Sequence, residues 1–354
     1  MINRFFPLAI IFSCCFFLCK TQQESNKSYI DFILTDNKLF ALTSDHKIDI
    51  FSTNTYDIIQ KGISAKKSIT KLDTDKTGNV IIIEDNHRIS IVNNKKPPFK
   101  RLYWSKNKVY DIVFNSAGEG YLVTDKGIDD LTTGKLFLPD TTFRLNHQIH
   151  GWSTPSAVFM DRNDNIWLGF GFGEWGGELF IFNTAVKKFI KPVLKGFKIT
   201  LNPIKSIFDA PNGVYISCGM DHMETSGCIM QFKNFKCYPI FDSETHFVNG
   251  ADISQKPFEG EYIGPATYNK KDSCIYFYSQ NGLFKGNADK DLSQINNWTK
   301  IASPKLHWTN GQPDAVGSPM NVLKMAFAEN GKLFLVAPND GIGVYDGKTF
   351  HLLN

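Results

Sequence analysis

The chain has 354 residues, 42% hydrophobic and 14% aromatic, with 39 Lys and Arg against 35 Asp and Glu for a formal net charge of +4. That length and apolar share allow a large folded core, and the charge balance is too small to mark a nucleic-acid partner or an anionic membrane surface. Two basic clusters, Lys95, Lys96, Lys100 and Arg101, and then Lys187, Lys188, Lys191, Lys195 and Lys198, fall where outer strands and turns are expected, and they read as solvated edges.

Residues 1–19 have the pattern of an export signal: Arg4 gives a basic start, and Phe5–Leu18 carries no charge. That run is short for a membrane span of roughly 20 residues. Polarity switches after Cys19, to Lys-Thr-Gln-Gln-Glu. A cysteine at such a switch resembles a bacterial lipoprotein signal, in which the cysteine becomes the lipidated first residue. Cys19 fits the polarity change but follows bulky Leu18. Cys14, after Ile11-Phe12-Ser13, fits the usual lipobox better but leaves an apolar mature end. A simple signal or anchor is the third reading. The resemblance implies a palmitate-type lipid on Cys19 and a tether over residues 20–28. It also implies a membrane-anchored place in a bacterial cell envelope, periplasmic or on the cell surface.

From residue 29 to residue 354 the pattern is all-β, with short β-rich runs, frequent turn signals and no amphipathic helix of convincing length. The clearest stretch is Ser156–Asn183. Ala157–Met160 and Ile166–Gly169 read as strands around the polar turn Asp161–Asn165. Gly169–Gly177 reads as a glycine-rich loop, and Glu178–Phe182 as a third strand. Degenerate copies recur. Aligned on the pair that opens each second strand, they are Leu39-Phe40, Val80-Ile81, Gly120-Tyr121, Ile166-Trp167, Val214-Tyr215, Ile275-Tyr276 and Leu333-Phe334, at spacings of 40 to 61 residues. A repeat of roughly 40–50 residues holding three or four strands predicts a β-propeller, because a lone four-stranded sheet cannot bury both faces and a closed ring of sheets can. Seven copies predict seven blades, the first starting near Tyr29 and the last ending at Leu353, with no strand visibly exchanged between the ends.

The motif Asp161–Gly169, with the later Gly127-Ile128, Gly282-Leu283 and Gly341-Ile342, resembles the propeller repeats of two-component-regulator sensors and of streptogramin lyases. The resemblance extends over residues 29–354 as architecture. It implies a propeller. For activity it implies only a class of propeller enzymes, because their catalytic residues have no matching motif here.

Motifs for specific chemistry are sparse. Asp73–Glu84 matches a calcium-loop pattern position by position, but its flanks are β-rich. With Asn79–Ile83 extended, Glu84 would sit at the far end of a strand, so a tight turn is the expectation. No Walker loop, Gly-x-Ser-x-Gly or zinc-type cysteine spacing occurs, and nothing in the sequence calls for a metal, a cofactor or a named catalytic residue. Cys218, Cys228, Cys237 and Cys274 follow the signal. Cys218 ends one predicted strand and Cys228 begins the next, which leaves a cross-strand disulfide or four buried thiols open.

The loops on one face are short in blades 1–3 and lengthen afterwards, at Thr141–Thr154, Gly169–Gly177, Gly219–Gly227, Ser243–Pro265 and Ser303–Met320. They hold His150, Trp152, Trp175, His222, His246, His307 and Trp308 beside several carboxylates, a set suited to a protein, peptide or glycan partner. The preferred reading is a membrane-anchored binding or scaffolding module. The alternatives are a lyase or lactonase-like hydrolase using histidines and carboxylates over the channel, and a structural part in outer-membrane assembly.

Overall fold

A computed structural model describes residues 28–92, 97–139, 152–221, 225–244, 260–307 and 322–353. Seven four-stranded antiparallel sheets form, each from one uninterrupted stretch: 29–63, 69–104, 109–137, 157–190, 204–242, 263–302 and 324–353. Within every sheet the strands lie in chain order. The first strands of successive blades touch all the way round, and the last of them, Lys324–Phe327, returns to the first, Tyr29–Thr35. The chain is therefore a seven-bladed β-propeller. Helix enters as short 3-10 turns such as Gly173–Trp175 and Ile199–Leu201.

All seven aligned pairs fall in second strands, from Lys38–Thr43 in blade 1 to Leu333–Ala337 in blade 7. Those strands lie between neighbouring blades and are buried on both faces. Every residue of Val80–Glu84, Gly120–Thr124 and Leu333–Ala337 is buried, hence continuous apolar runs in place of alternation. One apolar cluster fills each of the seven blade interfaces.

The turn between first and second strands is built on a side-chain bracket, clearest in blade 4. The buried Asp161 carboxylate accepts the backbone N–H groups of Asn163 at 2.8 Å and Asn165 at 2.9 Å, the Asn165 amide at 2.9 Å, and the Trp167 indole N–H at 2.8 Å. Blade 2 repeats it: Asp75 accepts the N–H groups of Thr77 and Asn79, both at 2.9 Å, with Gly78 at φ +81° closing the turn. The calcium-like segment is thus a β-hairpin turn. Glu84, at the far end of its strand, pairs with Arg88 at 3.1 Å and accepts from Ser90 at 2.6 Å.

Two expected loops are partly strand. In blade 4 the second strand runs over Asn165–Gly171 and the third over Gly177–Asn183, so the glycine-rich loop shrinks to 172–176. The glycines are a packing device: a Cβ on Gly169 would lie 2.6 Å from Ile204 Cγ2 of blade 5, and one on Gly171 2.9 Å from the Ile204 carbonyl oxygen. In blade 5, Gly213–Asp221 pairs with Thr225–Lys233 across most of the expected Gly219–Gly227 loop. Cys218 and Cys228 stand opposite each other in that ladder, both buried and both free thiols. The Cys228 thiol lies 3.6 Å from Asn202 Oδ1.

The basic clusters divide. Lys100, Arg101, Lys188 and Lys191 are exposed as expected. Lys187 instead ties blade 4 to blade 3, lying 2.9 Å from the buried Asp130 carboxylate and 4.6 Å from the Tyr121 ring centroid.

The ring closes through side chains. Phe32, Leu39 and Phe51 of blade 1 pack with Phe334, Val336 and Val344 of blade 7. Lys324 reaches Asp31 at 2.8 Å, and Lys332 donates to the Asn54 carbonyl at 2.8 Å.

Candidate functional site

Loops joining strands two and three leave from the same face as those joining successive blades. Cys19, His150, His222, His246 and Trp308 lie outside the described residues, as does most of the loop sequence between blades 3 and 4, 5 and 6, and 6 and 7. The described part of this face presents Trp175, Trp152 and His307.

Trp175 is 65% exposed. It sits on the 3-10 turn Gly173–Trp175, flanked by Gly173 at φ +61° and Gly176 at φ +78°, backbone values that side chains other than glycine rarely adopt. The turn is seated on the connector to blade 5: a Cβ on Gly176 would fall 1.7 Å from the Thr200 carbonyl oxygen, and one on Gly177 2.5 Å from that of Asn202. Leu201, 56% exposed, belongs to the same connector. The fold therefore fixes a tryptophan in solvent beside a second apolar side chain.

Trp152 behaves differently. Only 4% exposed, its ring packs against Phe170, Phe180 and Phe189 at centroid distances of 6.1, 5.3 and 5.8 Å. Its backbone N–H donates to the Asp125 carbonyl at 3.0 Å, and its backbone carbonyl accepts from the Tyr110 hydroxyl at 2.9 Å. The open stacking platform expected of this residue is a core contact between blades 3 and 4. An aromatic residue inside a loop sequence carries no sign of which way it turns.

His307 is held by Asp340 of the blade 7 loop. Its backbone N–H donates to Oδ2 at 2.8 Å, and Nδ1 lies 2.7 Å from Oδ1. Asp340 is buried while the His307 side chain is 71% exposed. A carboxylate against Nδ1 favours the Nδ1–H tautomer, which leaves Nε2 as the ring's acceptor. Asp340 escaped the sequence reading because Asn339-Asp340-Gly341 looks like an ordinary turn.

Two further features were missed. Along the ring axis, Lys324, Asp31, Lys71 and Asp111 form a chain of alternating charge across blades 7, 1, 2 and 3, with contacts of 2.8, 3.3 and 3.4 Å. A register shift precedes Asp31, Lys71 and Asp111 in their first strands and turns each toward the axis. Burial pulls Asp31 upward, but the Lys324 and Lys71 ammonium groups outweigh it and hold the carboxyl down at about 2. Burial and the neighbouring Asp111 charge push Asp73 well above the usual carboxylate range. The spacing of 40 residues between positions 31, 71 and 111 was a usable signal.

The second is Glu178, opposite Phe170 near the loop end of its strand. It is 1% exposed, neither carboxyl oxygen has a hydrogen-bond partner among the described residues, and burial pushes it up to about 7. In a shallow basin of about 390 Å³ between blades 1 and 2, Lys47 pairs with Asp45 at 2.7 Å and Lys67 with Asp85 at 3.1 Å.

No family model matches the chain, and no curated protein matches it. Solved structures do. One, a complex of KlAtg21 with the coiled coil of AgAtg16, aligns at TM-score 0.53 and 9% identity over 92% of this chain and all of that one. The computationally designed Ika8 protein aligns at TM-score 0.52 and 13% identity over 93% of this chain and 86% of its own. At such identities the likeness is one of fold.

Proposed function

We propose that this propeller is a binding or scaffolding module that takes a protein, peptide or glycan on the long-loop face of blades 4–7. In this reading it is held at a bacterial membrane by a lipid on Cys19. The carrying observation is Trp175, kept in solvent by a turn whose glycines pack against the next connector. Exposed aromatic anchors of this kind are enriched where partners bind. A similar propeller was solved with a coiled-coil partner, which agrees with a protein ligand.

Capture from the envelope fraction of the source cell tests the face. Trp175→Ala is expected to weaken a captured partner by about 2 kcal/mol, roughly thirtyfold. Undiminished capture would put the site elsewhere. The anchor has its own test: intact mass of the membrane fraction should show a chain beginning at an acylated Cys19, and an unacylated mature end would remove the anchor.

The His307–Asp340 pair favours a second reading, a propeller hydrolase or lyase with His307 as general base. His307→Gln would then abolish turnover of a substrate while leaving its binding intact.

A further inference from the structure

We propose that the aromatic-lined junction between blades 3 and 4 is a receptor for an organic cation, the ammonium or guanidinium group of a partner's lysine or arginine side chain, with Glu178 as its counter-ion. This rests on the reading of the long-loop face as a partner-binding surface and names the chemistry that one part of it takes.

Among the described residues, three polar atoms at this junction lack hydrogen-bond partners: both carboxyl oxygens of Glu178 and the indole Nε1 of Trp152, on residues 1% and 4% exposed. Folded proteins rarely leave such groups unmet, and a carboxylate least of all. Glu178 shares its sheet face with Phe170, directly opposite, and with Phe180, two residues along the same strand. Trp152 packs on both of those rings, and Phe172 stacks on Phe170 at 6.0 Å and 21°. The carboxyl therefore sits in a box of aromatic rings.

Among the described residues, the nearby charges are engaged elsewhere. Asp125 pairs with Lys126 at 3.2 Å and Asp130 with Lys187 at 2.9 Å, while the Tyr110 hydroxyl donates to the Trp152 carbonyl. None of them neutralises Glu178, whose upward shift has burial as its sole cause.

A cation meets both demands of such a box. Its N–H groups pair with the carboxylate, and its charge lies favourably against ring faces. A neutral ligand leaves the carboxyl without a counter-charge, and an anion is repelled. Access runs from the loop face. On that side Phe172, stacked on Phe170, is only partly buried. Trp175, at the rim of the same turn, would contact the partner's neighbouring residues. Arrival of the cation ionises Glu178, so its proton is released on binding.

The test uses the full chain with N-acetyl-lysine methylamide and N-acetyl-arginine methylamide as probes, and the citrulline analogue as a neutral match for arginine. Binding is followed by tryptophan fluorescence, and by calorimetry at pH 6 in two buffers of different ionisation enthalpy. Both cations are expected to bind saturably, at least about tenfold more tightly than citrulline, with proton release at pH 6. Glu178→Gln, isosteric with the protonated acid and so expected to fold, should lose the preference and the proton release together. Trp152→Phe keeps the ring and should weaken binding less than Glu178→Gln does. Equal binding of citrulline, no binding of either cation, or unchanged binding by Glu178→Gln would each overturn the receptor. Loss of the partner in Trp175→Ala with full retention in Glu178→Gln would also overturn it while leaving the face reading intact. A cation lost in Glu178→Gln with partner capture indifferent to Trp175→Ala would sink the face reading alone.

Discussion

Glu178→Gln is expected to melt several degrees above the wild-type protein at pH 8 and to lose that advantage by about pH 4.5. Burial raises the Glu178 carboxyl from its ordinary 4.5 to about 7. A carboxyl whose folded value exceeds its unfolded one favours the fold while it stays protonated. That contribution is complete below about 4.5, shrinks as the unfolded chain ionises, and is gone once pH has risen through about 7. The span between the two values corresponds to at most about 3 kcal/mol. Glutamine keeps the shape of the protonated group and cannot ionise, so its gain should follow this window. Thermal melts of both proteins at pH 4.5, 6, 7 and 8 decide it. Parallel curves across the range would mean that the carboxyl has a counter-charge in solution.

Asp161→Ala should cost roughly 3–5 kcal/mol, more than any exposed substitution on the ring. It removes the acceptor for the Asn163 and Asn165 backbone amides, the Asn165 side chain and the Trp167 indole in one step. Trp167 is 2% exposed, so its N–H would be left inside the blade 4–5 core with no acceptor. Asp161→Asn should cost less, since one carbonyl oxygen survives for the backbone amides. Urea unfolding of the three proteins supplies the comparison, and a shift below about 1 kcal/mol for the alanine variant would show that the turn is held by something else.

The architecture was legible because its strongest physical requirement leaves a strong trace. A second strand buried on both faces must be mostly apolar, and seven such runs fell at a blade-like spacing. The Asp161–Asn165 turn was legible from its polar residues between two apolar runs, while the bracket that ties Asp161 to the Trp167 indole emerges only from the fold. The site was less readable. Gly169 and Gly171 look like loop residues unless the close approach of Ile204 is known. Glu178 looks like the polar start of an alternating strand, and only the neighbouring blade reveals that it is enclosed. Trp152 turned inward where its loop position suggested a rim, because Phe170, Phe180 and Phe189 lie some distance along the chain and close in space.

Each blade is a single length of chain, so six of the seven interfaces are spanned by a peptide connector and the one between blades 7 and 1 is not. Among the described residues, that junction is joined by apolar packing, the Lys324–Asp31 pair and the contacts of Lys332 and Asn330 with the Thr53–Asn54 turn. Topologically the protein is a necklace with a clasp. Transient opening should begin there, so amides of the two first strands flanking the clasp should exchange with deuterium sooner than those of blades 4 and 5. A covalent staple across the clasp would act on the open-ring ensemble, with the largest loop in the molecule to close.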